Sequence, residues 1–394
     1  MDNTKHLNIE YFSLQSLFWM TYCMVVGFSV TYLLSCGYSN SEAGYILASA
    51  NICALILQPF FADLADRSKK INAMTIFLVS IEIIFVCSIG LFFIGVRSLI
   101  LTLIYVVMIT LANAVIAFLT SIQFLMDTSK SKINFGLCRA GGSLCFAILS
   151  ALMGIMIERI GMKSIPLALF IITLLIIGLC IFITRHSING NIKAVLTLEK
   201  KRSSSLFVFF NENPRFMILS IAMLFIYYAH AFITNFTISI VRNVGGDNRE
   251  MGYLIAFMAL MELPGMIGFK EISRRFKVSS LLLFSMIMFS IKAIIVWLSP
   301  SLMTLTFGFA LQVVSFAIYI PASVQYANII IDEKDTVKAQ MMFNLMQTGG
   351  AVFSSIIGGW LIDFSGISHA LLIGAILSCI GTIIAFAGIQ NTKR

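Results

Sequence analysis

The chain has 394 residues, of which 59% are hydrophobic and only 11% are Asp, Glu, Lys or Arg, and its mean hydropathy is +0.95. A water-soluble domain needs about a quarter of its residues charged to wet its surface. Composition therefore excludes a soluble enzyme or nucleic-acid-binding domain, makes lipid the main solvent, and turns the net charge of +9 into a question of where the basic residues lie.

A helix crossing a bilayer needs roughly 20 mainly apolar residues. In chain order such runs occupy 11–36, 43–62, 72–95, 99–126, 135–157, 165–184, 215–241, 251–269, 279–299, 302–331, 339–362 and 369–390. This predicts an all-α membrane protein with twelve transmembrane helices. Met1 to Glu10 is mostly polar and no small-residue cleavage site follows, so the first apolar run reads as a retained span. The 8 cysteines form no CxxC pair and lie in apolar runs, where they read as small hydrophobic residues. No metal and no cofactor are expected.

Lys and Arg set the orientation of such a chain. With the N-terminus inside, the inner segments hold Lys5; Arg67, Lys69 and Lys70; Lys130 and Lys132; Arg185 to Arg215; Lys270 to Lys277; Lys334 and Lys338; and Lys393 and Arg394. That is 20 of the 27 basic residues. The outer side holds 5 (Arg97, Arg159, Lys163, Arg242, Arg249), and Arg139 and Lys292 fall inside spans. Both termini are therefore expected to be cytoplasmic, in a cytoplasmic (inner) membrane. The basic loops read as topology signals, with no nucleic acid as partner.

The chain repeats itself. Gly44-Tyr45-Ile46-Leu47-Ala48 opens span 2 and Gly252-Tyr253-Leu254-Ile255-Ala256 opens span 8; Gly141-Gly142 and Gly349-Gly350 share the same spacing, as do Arg67/Lys69 and Arg275/Lys277. A shared offset of 208 (252 less 44, 349 less 141) points to duplication of a six-span unit. The expected organisation is two six-helix pseudo-symmetric halves, 1–184 and 215–394, joined by a polar cytoplasmic linker over 185–214. Parallel repeats of this kind place a binding cavity near the midplane and suit alternating access.

The loop Ala62-Asp63-Leu64-Ala65-Asp66-Arg67-Ser68-Lys69-Lys70 resembles the span 2–3 motif of the major facilitator superfamily, with Ala62 at the first Gly position and no second Gly. Phe135-Gly136-Leu137-Cys138-Arg139-Ala140-Gly141-Gly142 is similar to span 5 of the branch holding lactose permease-like and phenylpropionate permease-like proton symporters. Met261-Glu262-Leu263-Pro264 is similar to its Glu-Ile-Pro segment in span 8. The resemblance implies that Arg139 and Glu262 face the cavity, contacting substrate or taking part in proton coupling, and Lys292 sits roughly where the branch often has Arg. Span 10 departs from the lactose permease-like pattern: it carries Gln312, Ser315, Gln325 and Asn328 in place of a His and carboxylate set.

Ionisable residues inside spans are costly and usually face the bundle interior or a wet cavity. Glu262 reads as the proton-coupling site, because burial and a neighbouring cation act in opposite senses on a carboxyl's proton affinity; the competing reading is a structural ion pair with Lys292. Lys292 either tunes Glu262 or partners helix-end carbonyls, and His230 either relays protons or is a neutral, hydrogen-bonded core residue. The planar fork of Arg139 suits a carboxylate, phosphate or paired hydroxyls; it either contacts substrate or serves the cytoplasmic side, snorkelling or paired with Asp127. Asn113, Asn235, Gln312, Asn344 and Gln347 offer further substrate-binding amides, and Gln347 is the repeat counterpart of Arg139. Asn51 and Gln58, with Trp19, Tyr22, Tyr227, Tyr228 and Tyr319, extend that set, although polar residues also glue helices together. Asp66, Arg67 and Asp127 are the expected cytoplasmic gate. Glu82, mid-span in span 3, reads as a carboxyl bonded to a neighbouring helix.

The expected function is proton-coupled uptake of a small polar solute, a sugar or nucleoside, by a non-enzymatic transporter whose partners are the solute, protons and the lipid bilayer. One duplicated chain suffices for a pathway, so a monomer is expected to function. The alternatives are a proton-driven exporter of amphipathic compounds or an aromatic-acid permease.

Overall fold

A backbone that crosses hydrocarbon without water must satisfy its N–H and C=O groups internally. The computed structural model, which describes residues 2–68, 71–127, 133–185, 206–332 and 335–392, accordingly contains helices and no strand among the described residues. The first half comprises α1 (Asp2–Tyr22), a π-helical turn at Cys23–Gly27, α2 (Ser29–Ser35), α3 (Asn40–Arg67), α4 (Ala73–Phe93), α5 (Leu99–Ala114), α6 (Ile116–Met126), α7 (Phe135–Ile160) and α8 (Ser164–Ile183). The second begins with α9 (Leu206–Glu212), α10 (Pro214–Asn235), α11 (Thr237–Asn243), α12 (Asn248–Arg275) and α13 (Val278–Leu298). It continues through α14 (Leu302–Ala310), a 3₁₀ turn at Leu311–Val313, α15 (Phe316–Ile330), α16 (Thr336–Phe353), a π-helical turn at Ser354–Gly358, α17 (Gly359–Ser365) and α18 (Ile367–Gly388).

Eleven helical segments are long and apolar enough to cross a membrane, and Lys5–Gly27 with Ser29–Ser35, bent by 42°, makes a twelfth. The protein is an all-α, multi-pass membrane protein with the expected set of spans. Two local expectations change. The polar first residues, read as a tail, are helical from Asp2, and the segment from Ala62 read as a loop continues α3 to Arg67. Hydropathy marks where apolar side chains end, whereas helical hydrogen bonding continues through good helix formers such as Ala62, Leu64 and Ala65. Of the expected linker, 186–205 lies outside the described residues; its end forms α9, with Phe209 fully buried.

The chain divides into two compact units, Met1–Ser39 with Ile46–Glu199, and Asn40–Tyr45 with Lys200–Arg394. Within the first, α1 packs on α7 and α8, and α4 on α8 and α5. Within the second, α10 packs on α16 and α18, and α13 on α18 and α15. The repeat is visible in the element boundaries: α3 and α12 both run 28 residues, offset by 208 at both ends (248 less 40, 275 less 67). The helix breaks after α1 and after α10 fall at Phe28 and Phe236, again 208 apart (236 less 28). A Cβ at Gly141 or Gly142 would strike Phe12 or Trp19 on α1, and one at Gly350 would lie 2.6 Å from the Leu224 carbonyl on α10. The glycine pairs noted in the sequence thus serve close helix packing.

The start of α3 is fixed within the second unit by Asp363 on α17. Its carboxylate accepts from the backbone N–H groups of Asn40 (3.2 Å) and Ser41 (2.7 Å), from Asn40 Nδ2 (2.9 Å) and from Ser41 Oγ (2.6 Å). A helix start leaves its first N–H groups without intrahelical partners and attracts negative charge, so Asp363 acts as a cap supplied by another helix. The approach requires glycine: a Cβ on Gly44 would overlap the Ser355 carbonyl, and one on Gly359 the Asn40 carbonyl. Gly44→Ala is expected to lower the melting temperature of the detergent-purified protein by several degrees. Gly178→Ala, whose Cβ meets open space, should leave it unchanged or raise it; equal effects would contradict this packing.

Candidate functional site

In the second unit, three helices bring together three polar residues that the sequence separates widely. The core face of α13 is spaced at three and four residues: Leu282, Ser285, Met286, Phe289, Lys292, Ala293 and Val296 are all buried. Lys292 occupies a core position on this stripe and is only 1% exposed. The span made by α14 and α15 breaks beside it, passing through the 3₁₀ turn at Leu311–Val313, with Ser315 at φ −89° and ψ −88°. Gln312 lies in that turn and is 1% exposed.

The third helix, α12, starts at a capping box in which Asp247 accepts from the Arg249 N–H (2.8 Å) and the Asp247 N–H donates to Glu250 (3.0 Å). Glu262 lies two residues before Pro264, which lacks an N–H and so leaves the Leu260 carbonyl without its helical donor. Gly265 lies one turn beyond Glu262 on the same side of the helix, and its Cα faces the Val313 carbonyl and the Ala317 methyl of the broken span. That close approach brings Glu262 within reach of the turn.

The result is a continuous chain: Lys292 Nζ donates to Gln312 Oε1 at 2.6 Å, and Gln312 Nε2 donates to Glu262 Oε1 at 3.0 Å. The amide orientation follows from chemistry, since an ammonium can only donate and a carboxylate can only accept. The Lys292 ammonium also lies 5.5 Å from the Phe309 ring centroid and 4.0 Å from Met258 Sδ. His230 on α10 is buried against Phe316 (ring centroids 5.1 Å, stacked), Phe289 (5.2 Å) and Tyr227 (5.3 Å). Its Nδ1 has no hydrogen-bond partner among the described residues.

A second polar cluster lies in the first unit. The Arg139 guanidinium sits 3.9 Å from the centroid of Trp19 and donates to Ser143 Oγ at 2.9 Å. Trp19 Nε1 donates to Gln15 Oε1 (3.0 Å), Gln15 Nε2 to the Tyr11 hydroxyl (2.7 Å), and that hydroxyl to the Leu119 carbonyl (2.9 Å). One turn further along α1, Tyr22 donates to Asn113 Oδ1 (2.9 Å) and Asn113 Nδ2 donates to Asn51 Oδ1 (3.0 Å). Gln58 donates to the Asn113 carbonyl at 3.2 Å, beside the break between α5 and α6.

The expected site residues therefore sort by contact. Glu262, Lys292 and Gln312 form one chain, with His230 in the adjoining aromatic box. Arg139 forms part of the Trp19 cluster. Asn113 ties α1, α3 and α5 together; Asn235 donates to Ser355 Oγ (3.1 Å) and Gln347 to the Tyr319 hydroxyl (2.9 Å). Asn344 is exposed on α16. Asp127 accepts from the Ile133 N–H at 2.8 Å. Asp66 and Arg67 end α3, and their side chains lie outside the described residues. Glu82 is exposed on α4. Sequence reasoning missed Gln15, Tyr11 and Asp363. The spacing Tyr11, Gln15, Trp19, one residue every four, places all three on one helical face and was the available signal for the first two.

The chain belongs to the MFS_1-like family, whose model matches residues 7–372. It is 21% identical over 347 residues to the maltose permease of Geobacillus stearothermophilus, covering 88% of this chain and 85% of that protein. It is 25% identical over 361 residues to the uncharacterised transporter YwbF of Bacillus subtilis (strain 168), covering 87% and 83%. Its fold is similar to that of a mutant of the nucleoside transporter NupG, with a TM-score of 0.80 at 15% identity over 98% of both chains. The protein is thus a multi-pass transporter of the major facilitator type and not an enzyme.

Gly265→Ala should push α12 off the broken span and lower the melting temperature by several degrees. Gly268→Ala, whose Cβ meets only the tip of Ile272 at 3.8 Å, should change it little. Similar effects at both positions would show that the close approach at Gly265 does not hold the site together.

Proposed function

We propose that the protein is a secondary active transporter that couples proton movement to uptake of a small polar solute, a sugar or a nucleoside, by alternating access. The observation that carries this reading is the Lys292–Gln312–Glu262 chain. Two ionisable groups in adjoining apolar spans are costly, and here they are linked at a helix break, an arrangement suited to a carboxyl that gains and loses a proton during a cycle. A sugar or nucleoside presents hydroxyls and rings, which match the Arg139–Trp19 pair and the Tyr22–Asn113–Asn51 amides in chemistry. The names of the maltose permease and of the nucleoside transporter NupG lend weight to that solute class.

In the same reading the halves are 1–184 and 215–394, and Asp66, Arg67 and Asp127 belong to the cytoplasmic gate. The protein works as a monomer in the cytoplasmic membrane with both termini inside, consistent with 20 of its 27 basic residues in the inner segments.

The test is proton entry into proteoliposomes on addition of maltose, other sugars, nucleosides or aromatic acids, for the wild type and Glu262→Gln. One solute is expected to drive proton entry. Glu262→Gln should lower that entry ~100-fold or more, the usual scale for removing a proton-transferring side chain, while still exchanging solute across the membrane. Wild-type behaviour of Glu262→Gln, or uptake without protons, would refute Glu262 as the coupling group. Efflux of amphipathic compounds without solute-driven proton entry would favour an exporter.

A further inference from the structure

We infer that Gln312 is a positioning residue that joins Lys292 and Glu262 into one electrostatic unit. The inference rests on the reading of Glu262 as the coupling carboxyl. Both polar atoms of the side-chain amide are engaged: Oε1 faces the Lys292 ammonium at 2.6 Å and Nε2 faces Glu262 at 3.0 Å. Each bond has an ionisable partner, and losing the first would strip a 1%-exposed ammonium of its short contact to an oxygen acceptor, which is strongly unfavourable in a low-dielectric interior.

The amide dipole is aligned head to tail with both charges, its oxygen toward the cation and its N–H toward the carboxylate. In a buried chain each hydrogen bond polarises the next. The state of Glu262 is therefore felt at Lys292 through Gln312, although the two residues are on different helices. The position is suited to the task. Gln312 is held by a 3₁₀ turn in a broken span, and Gly265 on α12 packs against the following residue, Val313. The bridge is thus anchored by backbone on the side of α12 and by a core-facing lysine on the side of α13. A glutamine fits where a second carboxylate would repel Glu262 and an aliphatic side chain would leave Lys292 without that acceptor.

The test reads charge coupling directly and needs no solute. Melting temperatures of the full-length protein in detergent are measured for the wild type, Lys292→Met, Glu262→Gln and the double variant, and the set is repeated in a Gln312→Met background. With Gln312 present the two substitutions should be non-additive by about 2 °C or more, the scale of a coupling near 1 kcal/mol in a large domain. With Gln312→Met the non-additivity should fall by half or more, leaving only the direct charge–charge interaction of Lys292 and Glu262. Gln312→Asn, which keeps the amide but is too short to reach both partners, is an independent check in case the methionine background is unstable, and it too should weaken the coupling by half or more.

Additive effects with Gln312 present, or coupling that survives both replacements undiminished, would overturn the inference. Because no solute or proton flux is measured, failure of this cycle is distinct from failure of the transport reading. Wild-type proton entry by Glu262→Gln would sink the latter while leaving the bridge in place.

Discussion

Every peptide group that enters hydrocarbon must find its hydrogen-bond partner inside the protein, and the architecture depends on that constraint. It makes every described span helical, and it makes any interruption of a span expensive unless the freed groups are buried or re-paired. Among the described residues, several spans change helix direction or type, and some of these breaks carry candidate site residues. Spans 1 and 7 break at Phe28 and Phe236, span 4 at Val115 next to Asn113, and span 10 at the turn holding Gln312. At the last two, polar side chains from adjoining helices meet the break: Gln58 on the Asn113 carbonyl, and Glu262 and Lys292 on the Gln312 amide.

The same low-dielectric surroundings raise the cost of charge. An ammonium taken fully out of water carries a penalty of several kcal/mol even after relaxation. Lys292 meets that penalty with one short hydrogen bond to an amide oxygen, a thioether and an aromatic face. Arg139 meets a smaller one, being partly exposed, with Ser143 and the face of Trp19.

Duplication supplies the frame and divergence supplies the chemistry. The units share helix lengths, the positions of breaks and the packing of a Gly-Gly pair on the first helix of each half. The side chains at matched positions differ. Arg139 stacks on a tryptophan, whereas Gln347, its counterpart, donates to Tyr319. The polar cluster of the first unit is built from Tyr11, Gln15, Trp19, Tyr22, Asn51 and Asn113 around one cation, Arg139, while the second unit brings Glu262, Lys292 and His230 close together.

Length of apolar run, basic-residue placement and the 208-residue offset are one-dimensional properties. By themselves they determined the class of protein and the number and order of spans, because a chain crossing lipid must be helical over each long apolar run, and the offset pointed to two related halves. They also singled out Glu262, Lys292, His230 and Arg139, since a charge or an imidazole in an apolar run stands out without any knowledge of its neighbours. Amides carry no such mark. Asn113, Asn235, Gln312 and Gln347 looked alike in sequence, and only the tertiary structure decided that the first clasps three helices, the second and fourth reach hydroxyls, and the third bridges two ionisable residues. Asp363 was likewise invisible as a cap, because the N–H groups it accepts from, in Asn40 and Ser41, lie more than three hundred residues earlier in the chain. Which polar groups meet is set by helix rotation and by the few glycines that let backbones touch, and neither is written in the local sequence.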